Sequence, residues 1–179
     1  MLRSVLLRAV LAVAVLVPMV ALADAYDDLV KVQTAFQNAK SWHAVEQFSN
    51  GHTVIVDYVA PDRWRIQPNP DMTELLIGGD AYMVRKGRTT HLPFGGMMQK
   101  MIKDLRFSAN DEMKQSARDL GMQTLNGQSV HVYTFTSHGI PATLYVGSDL
   151  LPVQNVVKDK KNTTTIIYSN YNAPITIEP

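Results

Sequence analysis

Apolar residues recur along this chain at two periods, and each change of period marks a new element. Leu29, Val32, Phe36 and Ala39, with Ala25 and Tyr26 before them, follow one another at three- and four-residue steps. That spacing predicts an amphipathic helix over Asp24–Lys40, with Asp27 and Asp28 in its first turn and Lys40 at its end, as the helix dipole favours. From Ser41 the period drops to two. Trp42–Ser49 and His52–Val59 alternate on either side of Asn50-Gly51, a strong hairpin signal. Pro61-Asp62 turns into Arg63–Gln67, where Trp64 and Ile66 share one face and the arginines the other. Pro68 to Asp71 interrupts the pattern, and strands are expected again over Met72–Ile77, Ala81–Arg85 and Arg88–Leu92.

Between Pro93 and Gly121 the alternation stops. Met97, Met98, Met101, Ile102 and Leu105 fall at helical spacing after Phe94-Gly95-Gly96. A second helical pattern places Met113, Ala117 and Leu120 on one face, with Asn110 or Ser108 as N-cap and Gly121 as C-terminal stop. Strand patterns then return over Met122–Leu125, Gln128–Thr136, Pro141–Val146, Leu150–Val157 and Asn162–Tyr171, with Asn126-Gly127 as another hairpin turn. About eleven short strands at this spacing belong to a sandwich or barrel. The fold class expected is mainly β with helices (α+β). Its architecture is an incomplete antiparallel β-barrel, with an N-terminal helix and a helical lid on the concave face.

The N-terminus changes the picture of where this happens. Arg3 and Arg8 precede an apolar run from Val10 to Val17, and Ala21-Leu22-Ala23 is a small-x-small cleavage site. This is the layout of a secretory signal peptide over residues 1–23, and the run is shorter than the ~20 residues a bilayer span needs. A single domain over residues 24–179 remains, expected to be a periplasmic monomer. Its formal charge goes from +1 to −1, because two arginines and no acid are lost. A near-neutral domain lacks the basic stripe that nucleic acid requires. With no cysteine in the chain, there is neither a disulfide nor the residue that would carry a lipoprotein's lipid anchor.

Candidate chemistry is sparse. The five histidines, His43, His52, His91, His131 and His138, form no metal-binding spacing, and no nucleophile elbow or phosphate loop is present. No cofactor is expected and no enzyme activity. What stands out is apolar. Methionine-rich helices suit a surface that repacks around varied apolar shapes. A hydrocarbon tail costs roughly 0.8 kcal/mol per exposed methylene, so ten methylenes crossing water must be enclosed. The residues expected to line such an enclosure are Trp42, Phe48, Tyr58, Trp64, Ile66, Tyr82, Val84 and Phe94 of the sheet, and Met97, Met98, Met101, Ile102 and Leu105 of the lid.

Several stretches carry a family resemblance: the leading helix, Tyr58-Val59-Ala60-Pro61-Asp62-Arg63-Trp64-Arg65-Ile66, the turn Ile77-Gly78-Gly79-Asp80-Ala81-Tyr82, and the closing Tyr168-Ser169-Asn170-Tyr171-Asn172. In element order the mature chain resembles the LolA/LolB superfamily of periplasmic lipoprotein carriers and lipid-binding proteins. The resemblance implies an open barrel plugged by helices and a cavity for acyl chains. Its ligand would be a lipid or an acylated protein, exchanged with donor and acceptor proteins of the inner and outer membranes through transient membrane contact. Where LolA has an arginine before the proline ending its second strand, this chain has Ala60, so a lipoprotein shuttle is not carried over. A sensory or regulatory module of the cell envelope, working through protein contacts, is the alternative function.

Overall fold

In the computed structural model, which describes residues 21–105 and 109–179, one antiparallel sheet dominates. Helix α1 (Ala21–Asn38) leads. Six strands follow as a meander: β1 (Ser41–Phe48), β2 (Thr53–Val59), β3 (Arg63–Asn69), β4 (Met72–Ile77), β5 (Asp80–Arg85) and β6 (Arg88–Leu92). Helices α2 (Gly95–Leu105) and α3 (Asp111–Ser116) come next, then β7 (Arg118–Leu125), β8 (Gln128–Ser137), β9 (Ile140–Val146), β10 (Pro152–Lys158) and β11 (Thr163–Ser169). Residues 1–20 of the expected signal peptide, and the alternative cap Ser108, lie outside the described residues.

The strand order is β6-β5-β4-β3-β2-β1-β11-β10-β9-β8-β7. The first and last strands of the chain therefore pair in the middle, His43 opposite Ser169 and Phe48 opposite Thr164. The sheet is not closed: β6 and β7 are its two edges, and α2 and α3 form the connection from one edge to the other. This is the incomplete eleven-stranded architecture expected from the alternation and the turns.

All three helices lie on one face, called here the inner face. Ala25, Leu29 and Val32 of α1 pack with Met113 and Ala117 against Tyr133, Phe135, Leu144 and Val146 of β8 and β9. The last turn of α1, at Phe36, joins Ala39, Met98 and Ile102 over Trp42, Ala44, Val56, Tyr58, Trp64 and Leu76. One helix thus spans two apolar clusters. The stripe from Ala25 to Ala39 explains why: its steps of four and three keep one face of α1 on the sheet for its whole length.

Several local expectations need correction. The second lid helix ends at Ser116, and Leu120, 50% exposed, lies on β7 rather than on a helix face with Met113. Gly121 has φ +75 inside β7, where the register shifts between Asp119 and Met122, so it serves a β-bulge and not a helix stop. Asn110 does cap α3, accepting a hydrogen bond from the Met113 amide at 2.8 Å. Lys40 lies beyond the end of α1 at Asn38, outside the last turn. Pro68 falls within β3 at a register shift between Ile66 and Asn69, a position where a missing donor is tolerated. The Asn126-Gly127 turn joins Leu125 directly to Gln128 with both central residues at positive φ, as a type I′ hairpin requires.

Candidate functional site

Register places the aromatic residues. Trp42 of β1 stands opposite Tyr58 of β2, which stands opposite Trp64 of β3, and Ala44 stands opposite Tyr168 of β11. Residues paired directly across strands share a face, so these rings meet on the inner side. Trp42 is 5.4 Å from Trp64 edge-to-face and 5.4 Å from Phe36 in a stack, and Tyr58 and Trp64 are 4.6 Å apart. Phe36 also meets Tyr168 and Tyr171 edge-on at 5.5 and 6.3 Å.

Beside these rings lies a cavity of about 300 Å³, at the small end of small-molecule sites. The sheet contributes Trp42, Glu46, Val54, Val56, Trp64, Ile66, Ile166 and Tyr168, while Phe36 of α1 and Ile102 of α2 cover it. Its one carboxyl group, Glu46, makes no hydrogen bond or ion pair among the described residues. Burial alone raises its pKa above the ordinary carboxylate value. The Tyr168 phenol is also raised, by burial first and then by the Glu46 charge.

The expected site residues divide. Trp42, Trp64, Ile66 and Ile102 line the cavity, and Tyr58 and Met98 belong to the cluster around it. Phe48 is half-buried on the same face, its ring 5.8 Å from His52 rather than in the lining. Tyr82 and Val84 belong to the other face: Leu76 and Glu74 pair with Ala81 and Met83, while Tyr82 pairs with Leu75. Every residue from Ala81 to Val84 is apolar or aromatic, so alternation within β5 had no phase to read, and only the ladder decides it. Phe94 is 42% and Met97 69% exposed. Met113 is fully buried in the cluster under α1 and does not roof the cavity. The side chains of Met101 and Leu105 lie outside the described residues.

The expected set omitted Phe36, Glu46, Val54, Val56, Ile166 and Tyr168. Glu46 had a readable signal, since it is in phase with Trp42 and Ala44 on a strand whose inner residues are otherwise apolar. Ile166 and Tyr168 had none, because nothing local says that β11 lies beside β1.

The outer face of the same strands carries a polar network. Asp57 is buried, accepts a hydrogen bond from Arg65 Nε at 2.9 Å, and forms an ion pair with Arg65 Nη2 at 2.8 Å through the same oxygen. His43 Nδ1 lies 2.8 Å from its other oxygen; a carboxylate only accepts, so the histidine proton sits there. The C-terminal segment crosses this face, with Arg63 and Arg65 donating to the carbonyls of Ile177 and Thr176. Both arginines near Ala60 are therefore engaged away from the cavity. Among the described residues no group of three or more histidines and acids is arranged to hold a metal.

No family model matches the sequence, and no curated protein matches it. The solved structures do. LprF from Mycobacterium bovis superposes with a TM-score of 0.64 at 16% identity, covering 87% of this chain and 96% of that one. The Mycobacterium tuberculosis lipoprotein LppX gives 0.63 at 13% identity, over 89% and 100%. The fold is that of LprF and LppX. At such identities the likeness concerns architecture alone. No helix among the described residues is long and apolar enough to cross a membrane.

Proposed function

We propose that this chain is a periplasmic carrier that holds the apolar part of a lipid or acylated protein in the cavity between α1, α2 and the inner face of the sheet. The observation that carries this reading is the cavity itself. It lies among aromatic and aliphatic side chains that would otherwise pack solid, and Phe36 and Ile102 cover it from two separate helices. Helix α2 rests on β4 and β5 beside one edge of the open sheet, and in this reading it acts as the lid. Residues 1–23 act as the export signal in this reading. The chain has no cysteine to lipidate, so it would travel with its ligand rather than stay anchored like a lipoprotein.

The test uses protein expressed from the full-length sequence and recovered from a bacterial periplasm. Its organic extract, examined by mass spectrometry, should contain lipid in near-stoichiometric amount, and the delipidated protein should bind the uncharged dye Nile red. Ile102→Trp, which adds bulk at the cavity roof, should reduce dye binding at least tenfold while leaving the fold intact by circular dichroism. Extracts without lipid, together with dye binding that ignores Ile102→Trp, would remove the carrier reading.

A further inference from the structure

The cavity is not uniformly apolar, and its polarity has a sign. Register fixes which side chains of β1–β4 reach the inner face: Trp42, Ala44, Glu46 and Phe48; Val54, Val56 and Tyr58; Trp64 and Ile66; Glu74 and Leu76. Among them are two carboxylates and no basic residue. The basic side chains of β3, Arg63 and Arg65, alternate onto the outer face and are tied to Asp57 and the C-terminal carbonyls there. Glu46 lines the cavity with the rings of Phe36, Trp42, Trp64 and Tyr168. On the same face, one strand past Ile166, the Asn155 Oδ1 is buried with no hydrogen-bond partner, so a second acceptor stands unused.

A carboxylate set among aromatic faces has one natural complement. Aromatic rings attract a cation over their faces through the quadrupole, most strongly where water is excluded. An unpaired carboxylate in an apolar site is costly, and a cation brought against it removes that cost. A second carboxylate in the same place would be repelled, or would have to take up a proton. We infer that the cavity selects amphiphiles whose polar head is an ammonium group, a protonated amine or quaternary nitrogen, with Glu46 as the residue that reads the charge. This rests on the carrier reading and adds to it the chemical class of the ligand. Glu46 is here a specificity residue, and the hydrocarbon part is held by the aliphatic lining.

The test displaces Nile red from delipidated wild-type protein with dodecyltrimethylammonium or with laurate, both below their micelle concentrations. The chains are alike in length and the heads opposite in charge. The expected result is at least tenfold tighter binding of the ammonium amphiphile than of laurate, a preference that Glu46→Gln brings to within about twofold of none. Equal binding of the two amphiphiles, or tighter binding of laurate, with the dye still bound, overturns the inference and leaves the carrier reading standing. Failure of wild-type protein to bind the dye overturns both. The wild-type comparison needs no substitution, so it decides the point even if Glu46→Gln folds poorly.

Discussion

Gly95 and Ala81 meet backbone to backbone: a Cβ added at Gly95 would lie 2.6 Å from the Ala81 nitrogen and 2.8 Å from the Asp80 carbonyl carbon. This contact seats the first turn of α2 on the turn between β4 and β5. The adjacent Gly96 faces open space, so the two glycines differ in kind. Gly95→Ala should push α2 off its seat and cost about 1–3 kcal/mol by overpacking. Gly96→Ala, inside the helix, should gain about 0.5–1 kcal/mol. Urea unfolding of the two variants checks the pair, and equal midpoints would mean that α2 is not seated here.

Asp57 concentrates two hydrogen bonds and an ion pair at a site only 3% exposed. Asp57→Ala leaves the Arg65 guanidinium and the His43 ring facing a partner that is gone. The expected loss is about 2–3 kcal/mol, in the range for charge-assisted hydrogen bonds with one partner removed. Chemical denaturation measures it, and a change below about 0.5 kcal/mol would show that the network adds nothing to stability.

Ile177 is 2% exposed, and its carbonyl is held by Arg63 at 3.0 Å. Ile177→Ala should cost about 2 kcal/mol, the low end for a buried isoleucine. The same substitution should speed amide exchange in β2 and β3, which the C-terminal segment crosses. Unchanged exchange there would detach the tail from the stability of these strands.

Glu46 gives a stability that depends on pH, with a sign set by burial. Its folded pKa is raised above the ordinary value of 4.5. Within the window from that value upward, the folded protein keeps a proton that the unfolded chain has released. Stability therefore falls as pH rises through the window, and the full penalty is present above the folded pKa. Glu46→Gln lacks this step. The stability difference, variant minus wild type, should be smallest near about pH 4 and should increase toward neutral pH before levelling off. A difference independent of pH would mean that burial does not shift this carboxyl.

Much of the architecture is local information. The stripe of α1, the number of strands and the Asn126-Gly127 hairpin follow from side-chain period and turn chemistry, which act over a few residues. Trp42, Trp64 and Ile66 were legible as inner-face residues because each alternates with polar neighbours. β5 offered no such contrast, so Tyr82 and Val84 were assigned to the wrong side. The helical pattern that ran through Leu120 failed for a related reason. Three apolar positions at helical spacing are also met by a short helix followed by an edge strand, and the edge strand's pairing with β8 prevails.

By itself, then, the order of residues determined a mainly β chain of about eleven strands, a leading amphipathic helix and an interruption that becomes α2 and α3. Only the tertiary structure decided that β1 pairs with β11 and that α1 bridges two clusters. The same pairing brings Ile166 and Tyr168 to Glu46. The physical reason is separation along the chain: a contact between residues of the first and last strands leaves no periodic trace near either one, and only the ladder of hydrogen bonds between β1 and β11 brings them to a common face.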